Sequence, residues 1–332
     1  MNKRKNVARM KDVAIEAGVS LGTVSKVING KPVGEEYERK VNEAIKKLDY
    51  HVNSYAQGLK ASRTYTVAVI LPNTYHPYFG SLANALNVSL MQRHYRMLLC
   101  CTDQDYRLEQ EYMDMALQNK VDGIIGLTYN PELSISDEIP YVAIDRPLGP
   151  HIPCVASDNF AGGQLAAEKL HELGCKKVLF LRIGSDLNNE PNKRRAGFEN
   201  GCIGCGLEYE MKILSDTSGE TVDDFMPYLE KHFGKGKRDF DGIFCVNDSL
   251  AHIIISQLKE LDVSVPEDVQ VIGFDGTKNF GYLEYTCSTI VQPVENIAEM
   301  CVELLLQTNM SMKPPLVCLP VTYEEGDTTR PL

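Results

Sequence analysis

No stretch of the 332 residues approaches the roughly 18 to 20 uncharged apolar residues that a membrane span needs. The basic opening Met1-Asn-Lys-Arg-Lys-Asn6 is not followed by an apolar signal core, so export is not expected. Cysteine is sparse. Ten in 332 residues cannot build a disulfide scaffold, and without an export signal they are expected to be reduced thiols in a cytoplasmic protein. Catalytic signatures are missing as well. The seven histidines form no HExxH, and no GxSxG elbow occurs. Gly162-Gly163 has no accompanying GxGxxG, and Gly234-Lys-Gly-Lys237 lacks the Walker spacing. Cys202-Ile-Gly-Cys205 is a C-x-x-C pair, but a structural zinc takes four ligands and no second pair stands at a suitable spacing. Nothing organises a nucleophile, a base and an orienter. Neither an enzyme nor a metal or cofactor site is expected.

What is present is an ordinary globular balance, 43% hydrophobic and 24% charged, in a chain long enough for two or three domains. The net charge of −11 hides an asymmetry. Residues 1–65 carry 13 Lys and Arg against 7 Asp and Glu, a net of +6, which leaves −17 on the remainder. A basic head on an acidic body suggests that the head meets a polyanion and the body does not.

The head has helical periodicity. Met10, Val13, Ala14 and Ala17 fall on one face of a short helix, and Gly18 suits a left-handed C-terminal cap. Ser20 can cap a second helix carrying Val24, Val27 and Ile28, which Asn29-Gly30 stops. A third helix is expected from Glu35 to Leu48, with Val41, Ala44, Ile45 and Leu48 inward. Two short helices joined by a tight turn and braced by a third form a helix-turn-helix. Its second helix would lie in the major groove of DNA, with Leu21, Gly22, Thr23, Ser25, Lys26 and Asn29 outward. A three-helix protein-binding module has the same spacing, but a basic face rich in hydroxyls suits phosphate oxygens better.

The run Met10-Lys-Asp-Val-Ala-Ile-Glu-Ala-Gly-Val-Ser-Leu-Gly-Thr-Val-Ser-Lys-Val-Ile-Asn29 resembles the N-terminal signature of the lactose-repressor (LacI/GalR) family. The likeness continues through Leu48-Asp-Tyr50, Asn53, Ala56 and Leu59, where that family has its hinge helix. The resemblance implies that Leu21, Gly22 and Lys26 stand at base-reading positions. Thr23, Ser25, Asn29, Tyr50 and Asn53 would lie near the DNA backbone or the hinge, and Leu59 would be a wedge in the minor groove. There are departures. Gly34, Tyr37 and Glu38 replace the family's usual Ser, Thr and Arg, removing a capping hydroxyl and expected phosphate contacts. Val52 stands where Pro is common. Gly58 costs about 1 kcal/mol of helix stability relative to Ala, so the short hinge is expected to fold only on the operator.

From Thr66 onward, short apolar strands alternate with helices. Strands are expected at 66–71, 97–101, 123–127, 140–144 and 153–156, then 178–181, 211–214, 242–246 and 269–274. Helices are expected at 78–93, 106–119, 159–173, near 193–201, around 222–233 and at 248–261. Two such runs imply two lobes, each a doubly wound parallel sheet with helices on both faces. The segment Ser288–Gln307 and a strand Leu316–Leu319 complete the lobes in a way that pattern alone does not assign. Ligands of such sheets sit beyond the carboxyl ends of the strands. There the chain offers Asn73 to Phe79, Asp145-Arg146, Asp158-Asn159, Asn247-Asp248 and Asp275, with Arg194 nearby. Carboxylates, amides and an arginine around aromatic faces suit a polyhydroxylated small molecule. Each of these residues could equally be a helix cap or a surface turn.

The resemblance extends over this body through Ser157-Asp-Asn-Phe-Ala-Gly-Gly163, Arg194-Arg-Ala-Gly-Phe198, Phe244-Cys-Val-Asn-Asp248, Ile272-Gly-Phe-Asp275 and Thr289-Ile-Val-Gln-Pro293. It implies a body similar to periplasmic sugar-binding proteins, with three strands crossing between the lobes. It implies effector contacts at Tyr78, Phe79, Asp145, Asp158, Arg194, Asn247 and Asp275. Gly276 stands where the family usually has a second Asp. Thr217 and Val294 stand where some relatives carry an aromatic over the ligand, which Tyr129 or Phe280 would have to supply.

The expected organisation is a helix-turn-helix DNA-binding domain at 1–51, a hinge helix and linker at 52–65, and a two-lobed effector-binding and dimerisation domain at 66–332. The expected function is that of a repressor, a homodimer or a tetramer. It would bind a double-stranded, pseudo-palindromic operator under control of a small effector, expected to be a sugar. The alternatives are a nucleobase corepressor, a phosphoprotein coregulator, or a solute-binding protein with a vestigial head.

Overall fold

The structure, a computed structural model, describes residues 8–50, 63–103, 105–184, 189–215, 218–278, 284–307 and 313–331. The hinge positions Asn53, Ala56, Gly58 and Leu59, and the two positions Thr217 and Phe280, lie outside the described residues. The chain divides into two compact units, Met1–Thr64 and Tyr65–Leu332.

The first unit holds α1 (Met10–Ala17), α2 (Leu21–Ile28) and α3 (Glu35–Lys47). Gly18 ends α1 at φ +65°, and its N–H reaches the carbonyls of Ala14 and Ile15. That left-handed turn costs glycine little and lets the chain reverse at once. The expected apolar stripes meet in one small core of Val13, Ala14, Ala17, Val24, Val41 and Ala44.

The second unit is built from two six-stranded sheets. The strands of the first are β1 (Thr66–Leu71), β2 (Arg96–Cys101), β3 (Gly123–Gly126), β4 (Tyr141–Ile144), β5 (Cys154–Ser157) and the late β11 (Leu316–Leu319). They lie in the order β11-β5-β4-β3-β1-β2, all parallel. Strand periodicity divides β1 cleanly. Val67, Val69 and Leu71 pack under α4 (Pro77–Gln92) and α10 (Val294–Leu306). Ala68 and Ile70 face the opposite layer with α5 (Tyr106–Gln118).

The second sheet contains β6 (Lys177–Ile183), β7 (Glu208–Leu214), β8 (Gly242–Cys245), β9 (Gln270–Asp275), β10 (Ser288–Val291) and β12 (Thr322–Glu324). Their order is β12-β10-β9-β8-β6-β7. The edge strand β12 runs antiparallel to β10, an addition to the otherwise parallel design. The helices are α6 (Asn159–Glu172), α7 (Lys193–Cys205), α8 (Met226–Phe233) and α9 (Asp248–Glu260). The helix expected around 222–233 begins as a 3₁₀ turn, Val222–Phe225, and becomes α-helical only at Met226. Pro227 accounts for the break, because it has no N–H to donate and fits only the first turn.

The unassigned late segment divides between the lobes. β10 completes the second sheet, while α10 and β11 return to the first. The chain therefore crosses between lobes after β5, after β10 and after β11, matching the three crossings that the resemblance implied. Two bonds tie the crossings together. Ser157 Oγ donates to Gln292 Oε1 at 2.7 Å, and the Asp158 N–H donates to the Leu319 carbonyl at 2.7 Å.

Candidate functional site

In the head, Ser20 caps α2. Its Oγ accepts the Thr23 N–H at 3.1 Å and bonds the Thr23 hydroxyl at 2.9 Å. Asn29 closes the other end of the helix, donating through Nδ2 to the Ser25 carbonyl at 2.6 Å and to Ser25 Oγ at 3.3 Å. Thr23, Ser25 and Asn29 are thus half-committed to holding α2. Leu21 is 51% exposed. Gly22 beside it and Lys26 are exposed as well. Tyr50 packs on the head core. The departures at the third helix have a visible consequence. Gly34 caps α3 without a side-chain bond, and Glu35, Glu36 and Glu38 fill its first turn.

In the body, the sheet topology creates the cleft. Each lobe reads 2-1-3-4-5 across its strands, and loops leaving adjacent strands in opposite directions open a crevice at the switch point. A cleft of about 550 Å³ lies between the lobes there. Its lobe-one wall is aromatic, with Tyr75, Tyr78, Phe79, Tyr106 and Tyr129 beside His76 and Asp145. Its lobe-two wall is polar, with Arg182, Asn189, Asn192, Arg194, Asn247 and Asp275. Six of the seven expected effector residues, Tyr78, Phe79, Asp145, Arg194, Asn247 and Asp275, line this one space. Asp158 does not. Its Oδ1 caps α6 by accepting the Ala161 N–H at 2.9 Å, at the first lobe crossing. Val294 opens α10 in an adjoining groove.

Arg194 is fixed from three sides. Nε donates to Asn159 Oδ1 at 2.7 Å, Nη1 donates to the Val246 carbonyl at 2.6 Å, and the same Nη1 stands 3.5 Å from Asp275 Oδ1. Its guanidinium carbon lies 3.5 Å from the centroid of the Phe274 ring. This placement depends on glycine. A Cβ at Gly163 would run into the Arg194 carbonyl, and one at Gly197 into the Phe160 carbonyl. Only bare backbone lets α6 and α7 approach so closely. Asp275 also accepts Gln292 Nε2 at 2.8 Å, which joins the cleft to the crossing at Ser157.

Both cleft carboxylates sit on strained backbone, Asp145 at φ +59° and Asp275 at φ +119°. Gly276 follows at φ +75°, and a Cβ there would press on Val291, so the family's second Asp does not fit this turn. Burial pushes Asp145 up to about 7. Arg194 pulls it back, while Asp275 and Glu190 add to the rise. Burial likewise raises Asp275 against the pull of Arg194 and His76. Tyr78 is held as a neutral hydroxyl, well above its ordinary range, by burial and the nearby carboxylates. Asp145 Oδ1, Tyr78 Oη and His76 Nδ1 are buried with no hydrogen-bond partner among the described residues, and all three side chains line this cleft. Unsatisfied polar atoms gathered in one concavity mark where a ligand belongs.

Sequence reasoning did not find Tyr106, Arg182, Asn189, Asn192 or Gln292. Two of them left a signal. Arg182 is a charge directly after the apolar run Val178–Leu181, and Gln292 is a polar residue inside the Thr289–Pro293 landmark. Among the described residues, no group of three or more His, Cys, Asp or Glu could hold a metal. Cys202 is buried in the lobe-two core and its thiol is pushed up to about 12, away from thiolate chemistry.

Residues 9–53 match the family model of bacterial regulatory proteins of the lacI family, and residues 167–329 match that of the periplasmic binding protein-like domain. The sucrose operon repressor of Streptococcus mutans is 33% identical over 97% of this chain and 99% of its own length. The chain belongs to the lacI family. Another member, the ribose operon repressor of Bacillus subtilis, is 30% identical over 98% of this chain and 99% of its own. The solved lac repressor dimer, bound to operator and an anti-inducer, shares the fold with a TM-score of 0.80 at 21% identity, covering 98% of this chain and 99% of that one. Like its family, the chain is a DNA-binding transcriptional repressor with a small-molecule effector domain. The expected helix-turn-helix head and the two parallel-sheet lobes are both present. These relatives are repressors rather than enzymes, and no described helix is long and apolar enough to cross a membrane.

Proposed function

We propose that the chain acts in the cytoplasm, without enzymatic activity, as a homodimeric repressor whose operator affinity is set by a sugar. Its head, 1–51, reads a pseudo-palindromic operator. Leu21, Gly22 and Lys26 meet base edges, while Thr23, Ser25, Asn29, Tyr50 and Asn53 contact or orient the DNA backbone. The hinge, 52–65, folds on the operator with Ala56 and Leu59 at the minor groove. The body, 66–332, closes on the effector through Tyr78, Phe79, Asp145, Arg194, Asn247 and Asp275.

One observation carries the sugar reading. An aromatic wall faces a wall of amides, arginines and a carboxylate, and buried polar atoms between them have no partner among the described residues. Sugars offer C–H faces to the first wall and many hydroxyls to the second. The relatives named for sucrose and ribose operons support the same ligand class. The effector acts by differential affinity. It stabilises one arrangement of the lobes, and operator affinity changes by the coupling free energy between the two sites.

The test is fluorescence anisotropy with labelled DNA from upstream of the protein's own gene, with and without a panel of sugars and nucleosides. Operator binding should weaken steeply with added salt, because phosphate contacts release counterions. One sugar should shift the midpoint. A shift produced by a nucleoside and by no sugar would replace the sugar reading with the nucleobase one.

A further inference from the structure

We propose that the cleft accepts an uncharged, hydroxyl-rich sugar and rejects the phosphate ester of that same sugar. The inference rests on the sugar reading and narrows its ligand class. It comes from how the cleft's charges are already spent.

Consider the cations first. Arg194 is committed to Asn159, the Val246 carbonyl and Asp275, and its face lies on Phe274. Arg182, the other arginine of the described lining, has an interaction of its own. Lys193, next to Arg194, gives its Nζ to both oxygens of Glu190 at 2.7 and 2.8 Å. Lys278 belongs to the adjoining groove, with its Nζ 4.6 Å from the Tyr285 ring centroid. The chain positions outside the described body hold no Lys or Arg at 185–188, 216–217 or 279–283.

Helix N-termini are the other usual seat for an anion. Four of the described helices begin at this cleft. Asp105 and Asn247 cap α5 and α9 with their side chains, and the first N–H groups of α7 go to the Glu190 and Pro191 carbonyls. The fourth, α4, has no side-chain cap but opens on Pro77, which has no N–H to offer. Asn247 Oδ1 caps α9 by accepting the Leu250 N–H at 2.8 Å, and Asp248 adds a carboxylate in the same turn. Asn189 Oδ1 accepts the Asn192 N–H at 2.9 Å ahead of α7. Asn73 Oδ1 accepts the His76 N–H at 3.0 Å ahead of α4.

The carboxylates are not all spent in the same way. Asp145 stands on lobe one and Asp275 on lobe two, with Asp248 buried behind Asp275 and bonded to Thr289, Thr277 and Cys287. Asp145 Oδ1 has no donor among the described residues, and the residue is 4% exposed, so water does not serve it freely. What satisfies it is an O–H or N–H from the ligand. A phosphate monoester near neutral pH brings close to two negative charges and only acceptor oxygens. Placed against Asp145, the phosphate group leaves that carboxylate unsatisfied and adds like-charge repulsion in a poorly solvated space. A neutral hydroxyl does neither. Burial is the main cause of the rise of Asp145 toward 7, and Asp275 and Glu190 add to it against the pull of Arg194.

Titration calorimetry on the full chain tests this with matched pairs: sucrose and sucrose 6-phosphate, fructose and fructose 6-phosphate, ribose and ribose 5-phosphate. In the pair whose free sugar binds, the ester should bind at least roughly 100-fold more weakly. Asp145→Asn and Asp275→Asn should each weaken the free sugar while narrowing that ratio by about tenfold, as one negative charge leaves the wall. An ester that binds as tightly as its sugar, or more tightly, overturns the inference and leaves the sugar reading standing. A ratio unchanged in both variants also overturns it, since the carboxylates then do not discriminate. Binding by neither member of any pair sinks the sugar reading, and this inference with it.

Discussion

Replacing Asp145 by asparagine should make the protein more stable, and increasingly so as pH rises. The carboxyl titrates near 7 in the fold against an ordinary 3.8, mainly through burial. Its neighbours are Tyr78 from α4, Arg194 from α7, Asp275 at the end of β9, and Glu190, whose N–H donates to the Asp145 carbonyl at 2.8 Å. Because the folded value is raised, the folded chain holds this proton more tightly than the unfolded chain. Its contribution to stability is complete below about 3.8 and is lost progressively as pH climbs to about 7. At about 1.4 kcal/mol per pH step, the whole loss is roughly 4 kcal/mol, of which roughly 3 falls between pH 5 and pH 8.5. The asparagine side chain has nearly the shape of the protonated acid and never ionises. The variant should therefore lead by about 1.5 kcal/mol at pH 5 and by about 4 kcal/mol at pH 8.5. Asp248, also raised to about 7, is present in both proteins and cancels in the difference. Urea unfolding of the full chain, followed on the body's transition at several pH values, gives the comparison. A difference that stays constant to within about 0.5 kcal/mol from pH 5 to pH 8.5 would show that Asp145 carries no burial penalty.

Gly163→Ala should cost several kcal/mol of body stability and abolish the effector response, because the new methyl meets the Arg194 carbonyl and forces α6 from α7. Calorimetric melting and effector titration read the two effects. Ser20→Ala should destabilise the head by about 1 kcal/mol through loss of the α2 cap, visible as an earlier loss of helical circular dichroism. Lys26→Ala should reduce discrimination between operator and unrelated DNA by roughly 1 to 3 kcal/mol if the ammonium reads a guanine. Unchanged sequence preference in a footprinting titration would remove Lys26 from the base-reading positions.

Local periodicity determined a great deal by itself. The head's three helices, their Gly18 and Ser20 punctuation and their inward faces follow from short-range rules, because a helix settles its pattern within four residues. The alternation of strand and helix, and hence the two parallel lobes, follows for the same reason. The strand ends could also be named as ligand positions, since topology puts sites there whatever the ligand is. Tertiary structure decided what those residues do. Asp145 and Asp158 both follow strand ends in the chain, yet one is an unsatisfied carboxylate in the cleft and the other a helix cap. Arg182, Asn189 and Gln292 reach the cleft only because β6, the segment before α7 and the second crossing converge, the last from more than a hundred residues further along the chain. The late helix α10 and strand β11 joined lobe one, although the β10 strand just before them completes lobe two. No local pattern encodes that return. It is settled by which open sheet edge and which bare apolar face remain to be covered once the rest of the chain has packed.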